Sequence, residues 1–115
     1  MVLFGSPHKR GFTGRLLEEY LKALGDHFHT EMVNAYELRV EPCQGCRYCE
    51  KQEGCPIRDF DEIDQLLRTA DLLLVATPIY YLGMPAPLKA IFDRTQRYFS
   101  ARFSRGLRPD RKSVV

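Results

Sequence analysis

No stretch of the chain is apolar for long enough to suggest a membrane span. The longest run without a charged residue lies between Asp71 and Lys89; it is shorter than the ~20 residues a spanning helix needs, and Pro78, Pro85 and Pro87 interrupt it. The amino end, Met1-Val2-Leu3-Phe4-Gly5, lacks the basic-then-apolar run of a secretory signal. There is no internal repeat and no low-complexity tract. Charge of one sign is not in large surplus either. The net charge is +2, which argues against binding driven by nucleic acid. What remains is a globular composition, 44% hydrophobic and 28% charged, on 115 residues, enough for one domain with one core. These absences lead us to expect a cytoplasmic protein with no membrane or nucleic-acid partner.

The small net charge hides an asymmetry. Residues 94–112 hold seven basic side chains (Arg94, Arg97, Arg102, Arg105, Arg108, Arg111 and Lys112) against one acid, Asp110. A solvated helix face with its following loop explains this, and a site for a phosphate-bearing partner is the sharper alternative.

The apolar pattern alternates between strand and helix. Residues 1–4 read as a buried strand ending at Gly5-Ser6-Pro7. From Thr13, Leu16, Leu17, Tyr20, Leu21 and Leu24 fall on one helical face, and Gly25 supplies a stop. Residues 29–34 fit a second strand. Asp59 or Asp61 is placed to cap a helix carrying Ile63, Leu66, Leu67 and Ala70 at i, i+3, i+4, i+7. Residues 72–76 read as a strand covered on both faces. A third helix from about Ala86 would bury Leu88, Ile91, Phe92, Thr95 and Phe99, and Ser113-Val114-Val115 reads as the start of a fourth strand. This order predicts an α/β fold, a doubly wound parallel sheet. Domains of the flavodoxin type have about five strands, so the chain is expected to represent about two-thirds of one, either as a fragment or with its open side covered by another chain.

Three motifs carry chemistry. The first, Gly5-Ser6-Pro7-His8-Lys9-Arg10-Gly11-Phe12-Thr13, joins a strand to a helix. Free backbone N–H groups and the helix dipole favour a phosphate there, with hydroxyls from Ser6 and Thr13 and positive potential from His8, Lys9 and Arg10. Phe12 stands where a Walker A loop needs Lys, and the dinucleotide G-x-G-x-x-G pattern is absent. The bland alternative is a plain strand-to-helix turn. The second motif is Cys43-x2-Cys46-x2-Cys49-x5-Cys55, followed by Pro56, in an irregular excursion over residues 41–58. The compact spacing suits a [4Fe–4S] cluster, with Gly45 and Gly54 easing the turns. Zinc and free or redox-active thiols are the alternatives. The third motif, Thr77-Pro78-Ile79-Tyr80-Tyr81-Leu82-Gly83-Met84-Pro85, follows a strand, where open α/β sheets bind ligands. Its flat apolar area suits a planar ring system; a hydrophobic interface loop is the alternative.

Together these three motifs, with Lys89-Ala90-Ile91-Phe92-Asp93-Arg94 closing the third, resemble the NAD(P)H-dependent FMN reductase group of the flavodoxin-like superfamily, and within it the iron–sulfur flavoprotein branch. The resemblance runs from Leu3 to about Thr95. It implies sheet order 2-1-3-4-5 with FMN at the strand carboxyl ends. It implies that Ser6, His8, Phe12 and Thr13 line the FMN phosphate with backbone N–H groups from Gly11 to Thr13. Pro78, Ile79, Tyr80, Tyr81, Leu82 and Gly83 would edge the isoalloxazine, and Cys43, Cys46, Cys49 and Cys55 would ligate a cluster. Asp93 and Arg94 would make helix and interface contacts rather than act in catalysis. Two positions depart from the pattern: His8 stands where relatives often carry Arg, and Phe12 where they carry a small polar residue. The implied activity is electron transfer from NAD(P)H through FMN, and through a cluster, to an acceptor such as a flavin, a quinone or a redox protein, in a homo-oligomer. The alternatives are a cluster-free NAD(P)H:FMN or quinone reductase and a zinc-stabilised, non-catalytic binding module.

Overall fold

The computed structural model describes residues 1–107. Its elements are β1 (Val2–Phe4), α1 (Phe12–Leu24), β2 (Met32–Asn34), α2 (Tyr48–Lys51), α3 (Asp61–Thr69), β3 (Leu74–Ala76), α4 (Ala86–Arg94) and α5 (Gln96–Phe103). The strands form a parallel sheet in the order β2-β1-β3, with Leu3 opposite Val33 on one side and Val75 on the other. This matches the start of the expected 2-1-3-4-5 order. The expected strand at 113–115 lies outside the described residues, as do Arg108, Asp110, Arg111 and Lys112 of the basic segment.

The central strand shows why the fold is layered. Alternate side chains leave a strand on opposite faces. Leu3 enters one apolar cluster with Val33, Ala35, Phe60, Ile63, Leu88 and Ile91, supplied by β2, α3, α4 and their approaches. Val2 and Phe4 enter another with Leu17 of α1. A strand whose three residues are all buried needs cover on both sides, and it has α1 on one and α3 with α4 on the other.

Four sequence expectations change. Of the α1 stripe, only Leu17 is buried; Leu16 is 73% exposed and Tyr20 is also largely open. Helical periodicity identifies a face, and the described sheet is wide enough to cover only part of this one. β3 is not covered on both faces, because it is an edge strand among the described residues and Val75 is left open. Neither Asp59 nor Asp61 caps α3. Phe60 holds the cap position without a side-chain bond, and Asp61, Glu62 and Asp64 crowd the first turn, where the helix dipole favours them. Finally, the single helix expected from Ala86 is two. The chain turns at Thr95, whose hydroxyl and N–H both donate to the Phe92 carbonyl, at 2.7 and 3.0 Å. Past the turn the buried face carries Arg97 and Ser100, while Phe99 is exposed and stacks on Phe103 with ring centroids 4.4 Å apart.

Leu88 of α4 is fully buried, and its Cδ2 lies 2.6 Å from where a Cβ on Gly5 would stand. Leu88→Ala is expected to lower the unfolding free energy by about 2–5 kcal/mol. The exposed Leu16→Ala should change it by no more than about 0.5 kcal/mol. Urea titration of both variants is the check.

Candidate functional site

The sheet register sets the site. Phe4, Asn34 and Ala76 lie opposite one another, so the loops after all three strands leave from one edge. Gly5 N–H donates to the Ala76 carbonyl at 2.8 Å and Ala35 N–H to the Phe4 carbonyl at 2.9 Å, which holds the loops together as they leave. Ser6 is buried, and its Oγ accepts the His8 N–H at 3.2 Å, so this hydroxyl shapes the loop. Gly11 N–H donates to the His8 carbonyl at 3.0 Å. The first intrahelical bond of α1 runs from Arg15 N–H to the Gly11 carbonyl, and no described side chain caps the helix. The N–H groups of Phe12, Thr13 and Gly14 precede that bond, and together they offer an anion three donors and the positive end of the helix dipole.

The Phe12 side chain on this loop is 91% exposed. Lys9 pairs with Glu37, which offsets part of the positive potential expected of the loop. Sequence reasoning also missed Gly14. A Cβ there would stand 1.9 Å from the Lys9 carbonyl oxygen, so the loop lies directly on a helical glycine. A glycine one turn inside a helical pattern is the signal that marks such a close approach.

The loop after β3 is a tight hairpin. Tyr80 N–H donates to Gly83 O at 2.8 Å and Gly83 N–H to Tyr80 O at 3.1 Å. The two residues between, Tyr81 and Leu82, have φ of 44° and 66°. That left-handed backbone costs a side-chain-bearing residue about 1–2 kcal/mol. Both side chains point fully into solvent, Tyr81 at 101% relative exposure, and Ile79 is open as well. Tyr80 neighbours Tyr36 from the β2 loop; burial and the Tyr80 phenol push the Tyr36 hydroxyl above its usual range.

The four cysteines are free thiols that line one cavity of about 330 Å³. Left-handed backbone at Gly45 and Arg47, both with φ of 64°, curls the segment, and α2 carries Cys49. Cys49 Sγ donates to Ser100 Oγ at 3.4 Å, and Arg94 Nη2 donates to Cys55 Sγ at 3.6 Å. Arg94 is only 3% exposed. Its Nη1 donates to Asp59 Oδ1 at 2.6 Å and to the Glu41 carbonyl at 2.9 Å, and its Nη2 to the Ile57 carbonyl at 2.6 Å. One guanidinium therefore ties the start of the cysteine segment to its end. Arg97 is 6% exposed and lines the same cavity. The described part of the basic segment is thus neither a uniformly solvated face nor an open phosphate site, because its first two arginines are buried beneath the cysteines. Arg97 and Ser100 were not singled out from sequence as site residues. Their i, i+3, i+6 spacing with Arg94 was the available signal. Among the described residues no group of three His, Cys, Asp or Glu side chains converges closely enough to hold an ion. The sulfurs share a cavity, and the donor set of four thiols beside buried arginines fits an anionic centre.

Comparison with known proteins bears on the same residues. Residues 1–109 match the family model described as NADPH-dependent FMN reductase. The chain belongs to that family. It is 35% identical over 94 residues to an iron-sulfur flavoprotein of Methanocaldococcus jannaschii, covering 80% of this chain and 49% of that one. It is 38% identical over 93 residues to an iron-sulfur flavoprotein of Methanosarcina thermophila, covering 79% and 49%. A putative NAD(P)H-dependent FMN-containing oxidoreductase of Bacillus subtilis is 27% identical over 93 residues, covering 81% and 49%. The chain spans about half the length of the curated relatives it matches. No solved structure matches it. Family and sheet order agree on the flavodoxin-like fold. No helix among the described residues is long and apolar enough to cross a membrane.

Burial alone would raise the Asp59 carboxyl, but the Glu41 N–H, which donates at 2.7 Å, and the Arg94 guanidinium outweigh it and hold it below its usual value. A carboxyl depressed in the folded state stabilises the fold above its unfolded pKa, near 3.9, and that contribution disappears as pH falls through the lower folded value. Wild-type stability should therefore fall between about pH 5 and pH 2 more steeply than that of Asp59→Asn, measured by urea unfolding across that range. Arg94→Met, which leaves Asp59 unpaired, should cost about 2–4 kcal/mol at neutral pH, somewhat less than for a wholly buried pair because Asp59 reaches solvent.

Proposed function

We propose that this chain is an FMN-dependent electron-transfer oxidoreductase using NAD(P)H, with an iron–sulfur cluster held by Cys43, Cys46, Cys49 and Cys55. The observation that carries the reading is the uncapped amino end of α1, on a loop seated against Gly14, at the same sheet edge as the Tyr80–Gly83 hairpin, in a member of the FMN reductase family. The names of its iron-sulfur flavoprotein relatives support the cluster, as does the cavity shared by the four thiols.

In this reading the N–H groups from Gly11 to Gly14 bind the FMN phosphate, with Thr13 adding a hydroxyl donor. Ser6 holds the loop in shape from within, and His8 and Phe12 border it. The hairpin from Pro78 to Gly83 lies against the ring edge, with Tyr80 and Tyr81 supplying flat apolar surface. When bound, the flavin supplies the chemistry that takes a hydride from a nicotinamide and releases electrons singly. No side chain here is needed as an acid or base. The protein binds, orients and tunes. Arg94 keeps the cysteine segment closed over α4. The chain acts as one flavodoxin-like domain carrying the segment 41–58, in the cytoplasm, where thiols stay reduced. Its acceptor is a flavin, a quinone or a redox protein. Homo-oligomerisation is supported by the open apolar side chains of Phe12, Leu16 and Tyr20 on α1.

A second reading is an FMN or quinone reductase whose cysteines carry no cluster, with the thiols that line the cavity left free. Anaerobic purification of the full chain, followed by visible spectroscopy and metal analysis, separates the readings. Flavin bands on a broad iron–sulfur absorption are expected. Flavin bands alone would establish the cluster-free reductase. A colourless, folded protein that takes up no added FMN would overturn both, and zinc in it would identify a zinc-stabilised module. Gly14→Ala, which drives a methyl group into the Lys9 carbonyl, is expected to weaken FMN binding at least about tenfold, read by quenching of flavin fluorescence; a loop displacement of even a few tenths of an ångström misaligns all three donors.

A further inference from the structure

Arg97 is the least satisfied charge in the described structure. Its Nε and Nη1 are buried and have no hydrogen-bond partner among the described residues. Its nearest carboxylate contacts are loose, with Nη1 at 3.5 Å from Asp64 and 4.0 Å from Asp61. Those acids already serve other groups. Asp61 pairs with Arg58, and Asp64 accepts from Arg68 at 3.0 Å and from the Tyr98 hydroxyl. Asp59, in turn, serves Arg94. The cation therefore has two shared, loosely placed carboxylates and no hydrogen bond on Nε or Nη1, and its guanidinium packs 5.7 Å from the centre of the buried Phe60 ring, which also takes Arg94 at 5.6 Å. A buried charge with unmet donors costs several kcal/mol unless something compensates it.

Its position puts the positive charge at the cysteine cavity. Arg97 lines the cysteine cavity, and its Nη2 comes within 3.4 Å of where a Cβ on Gly54, the neighbour of Cys55, would stand. It sits three residues after Arg94, which donates to Cys55, and one turn of α5 before Ser100, which accepts from Cys49. We propose that Arg97 is the counter-charge of the four-sulfur cavity: a buried positioning residue that stabilises a net negative centre on Cys43, Cys46, Cys49 and Cys55 and makes that centre easier to reduce. The second half of this statement rests on the cluster reading above; the first half does not. Four thiolates around a metal–sulfur centre carry net negative charge, and each added electron increases it. A fixed, buried cation beside the cavity favours the more negative state.

The test uses the full chain and three variants: Arg97→Met, which keeps the packing on Phe60 without the charge, Arg97→Lys, which restores the charge, and Arg97→Gln should the methionine variant fail to fold. Apo, reduced protein is alkylated with iodoacetate, which is anionic, and iodoacetamide, which is neutral and of similar size, and Cys49 and Cys55 are followed by peptide mass analysis. Both reagents meet the same thiolate, so the ratio of their rates reads local potential rather than reactivity or fold. The iodoacetate-to-iodoacetamide ratio should fall about three- to tenfold in Arg97→Met and recover in Arg97→Lys. An unchanged ratio overturns the counter-charge role. In cluster-loaded protein the midpoint potential should move to more negative values in Arg97→Met and return in Arg97→Lys; an unchanged potential at wild-type iron content overturns the effect on reduction. Wild-type protein that accepts no iron overturns the cluster reading and the effect on reduction with it, while the alkylation ratio still decides the charge.

Discussion

The Arg94 guanidinium closes a segment that nothing else in the described structure holds so firmly. Residues 41–59 leave the sheet edge, pass through four cysteines and return, with one four-residue helix for internal order. Fixing so long an irregular stretch opposes folding, and closing a loop costs entropy in proportion to the logarithm of its length. Arg94 meets that cost from one point, bonding the Glu41 carbonyl at the outgoing end and Ile57, Asp59 and Cys55 on the way back. It can do so because α4 is anchored at its other end by Leu88 and Ile91 in the main core. The cysteine cavity is therefore tied to the core through α4, and α5 adds Arg97 and Ser100 to its lining. Helix α4 begins directly after the hairpin loop, so the two candidate sites share one rigid element.

The loop before α1 depends on a different constraint, the in-register parallel sheet. Three strands ending at one level deliver three loops to one edge, and α1 begins there with its first donors free. The loop is shaped by small contacts: a serine hydroxyl turned inward, a glycine cap, and a helical glycine that lets the Lys9 carbonyl settle against the helix. The side chains that looked most functional in the linear sequence do little of this. Phe12 faces solvent and Lys9 faces Glu37.

What was legible in the sequence was periodic or punctuated. The short apolar runs became strands, Gly25 ended α1, and the cysteine spacing marked a shared cavity. What was not legible depended on partners far along the chain. Arg94 and Arg97 looked like a solvated basic face, because an arginine's burial is decided by groups such as Asp59 and Phe60, and their own neighbours in sequence do not reveal it. Leu16 and Tyr20 looked like core because periodicity reports a face and not what covers it. The turn at Thr95 was hidden since its cause, a threonine bonding back to Phe92, leaves the apolar spacing nearly unbroken up to that point.

The hairpin tip has a consequence of its own. Asn-Gly would adopt the backbone of Tyr81 and Leu82 without strain, and two bulky residues stand there instead with both side chains in water. Neither contributes to the core, so the local stability of the loop is lower than the same turn could provide. Its backbone should open more readily than the strand it follows, and amide exchange there should run ahead of the sheet. The loop that exposes Tyr81 fully is thus expected to open ahead of the sheet it follows.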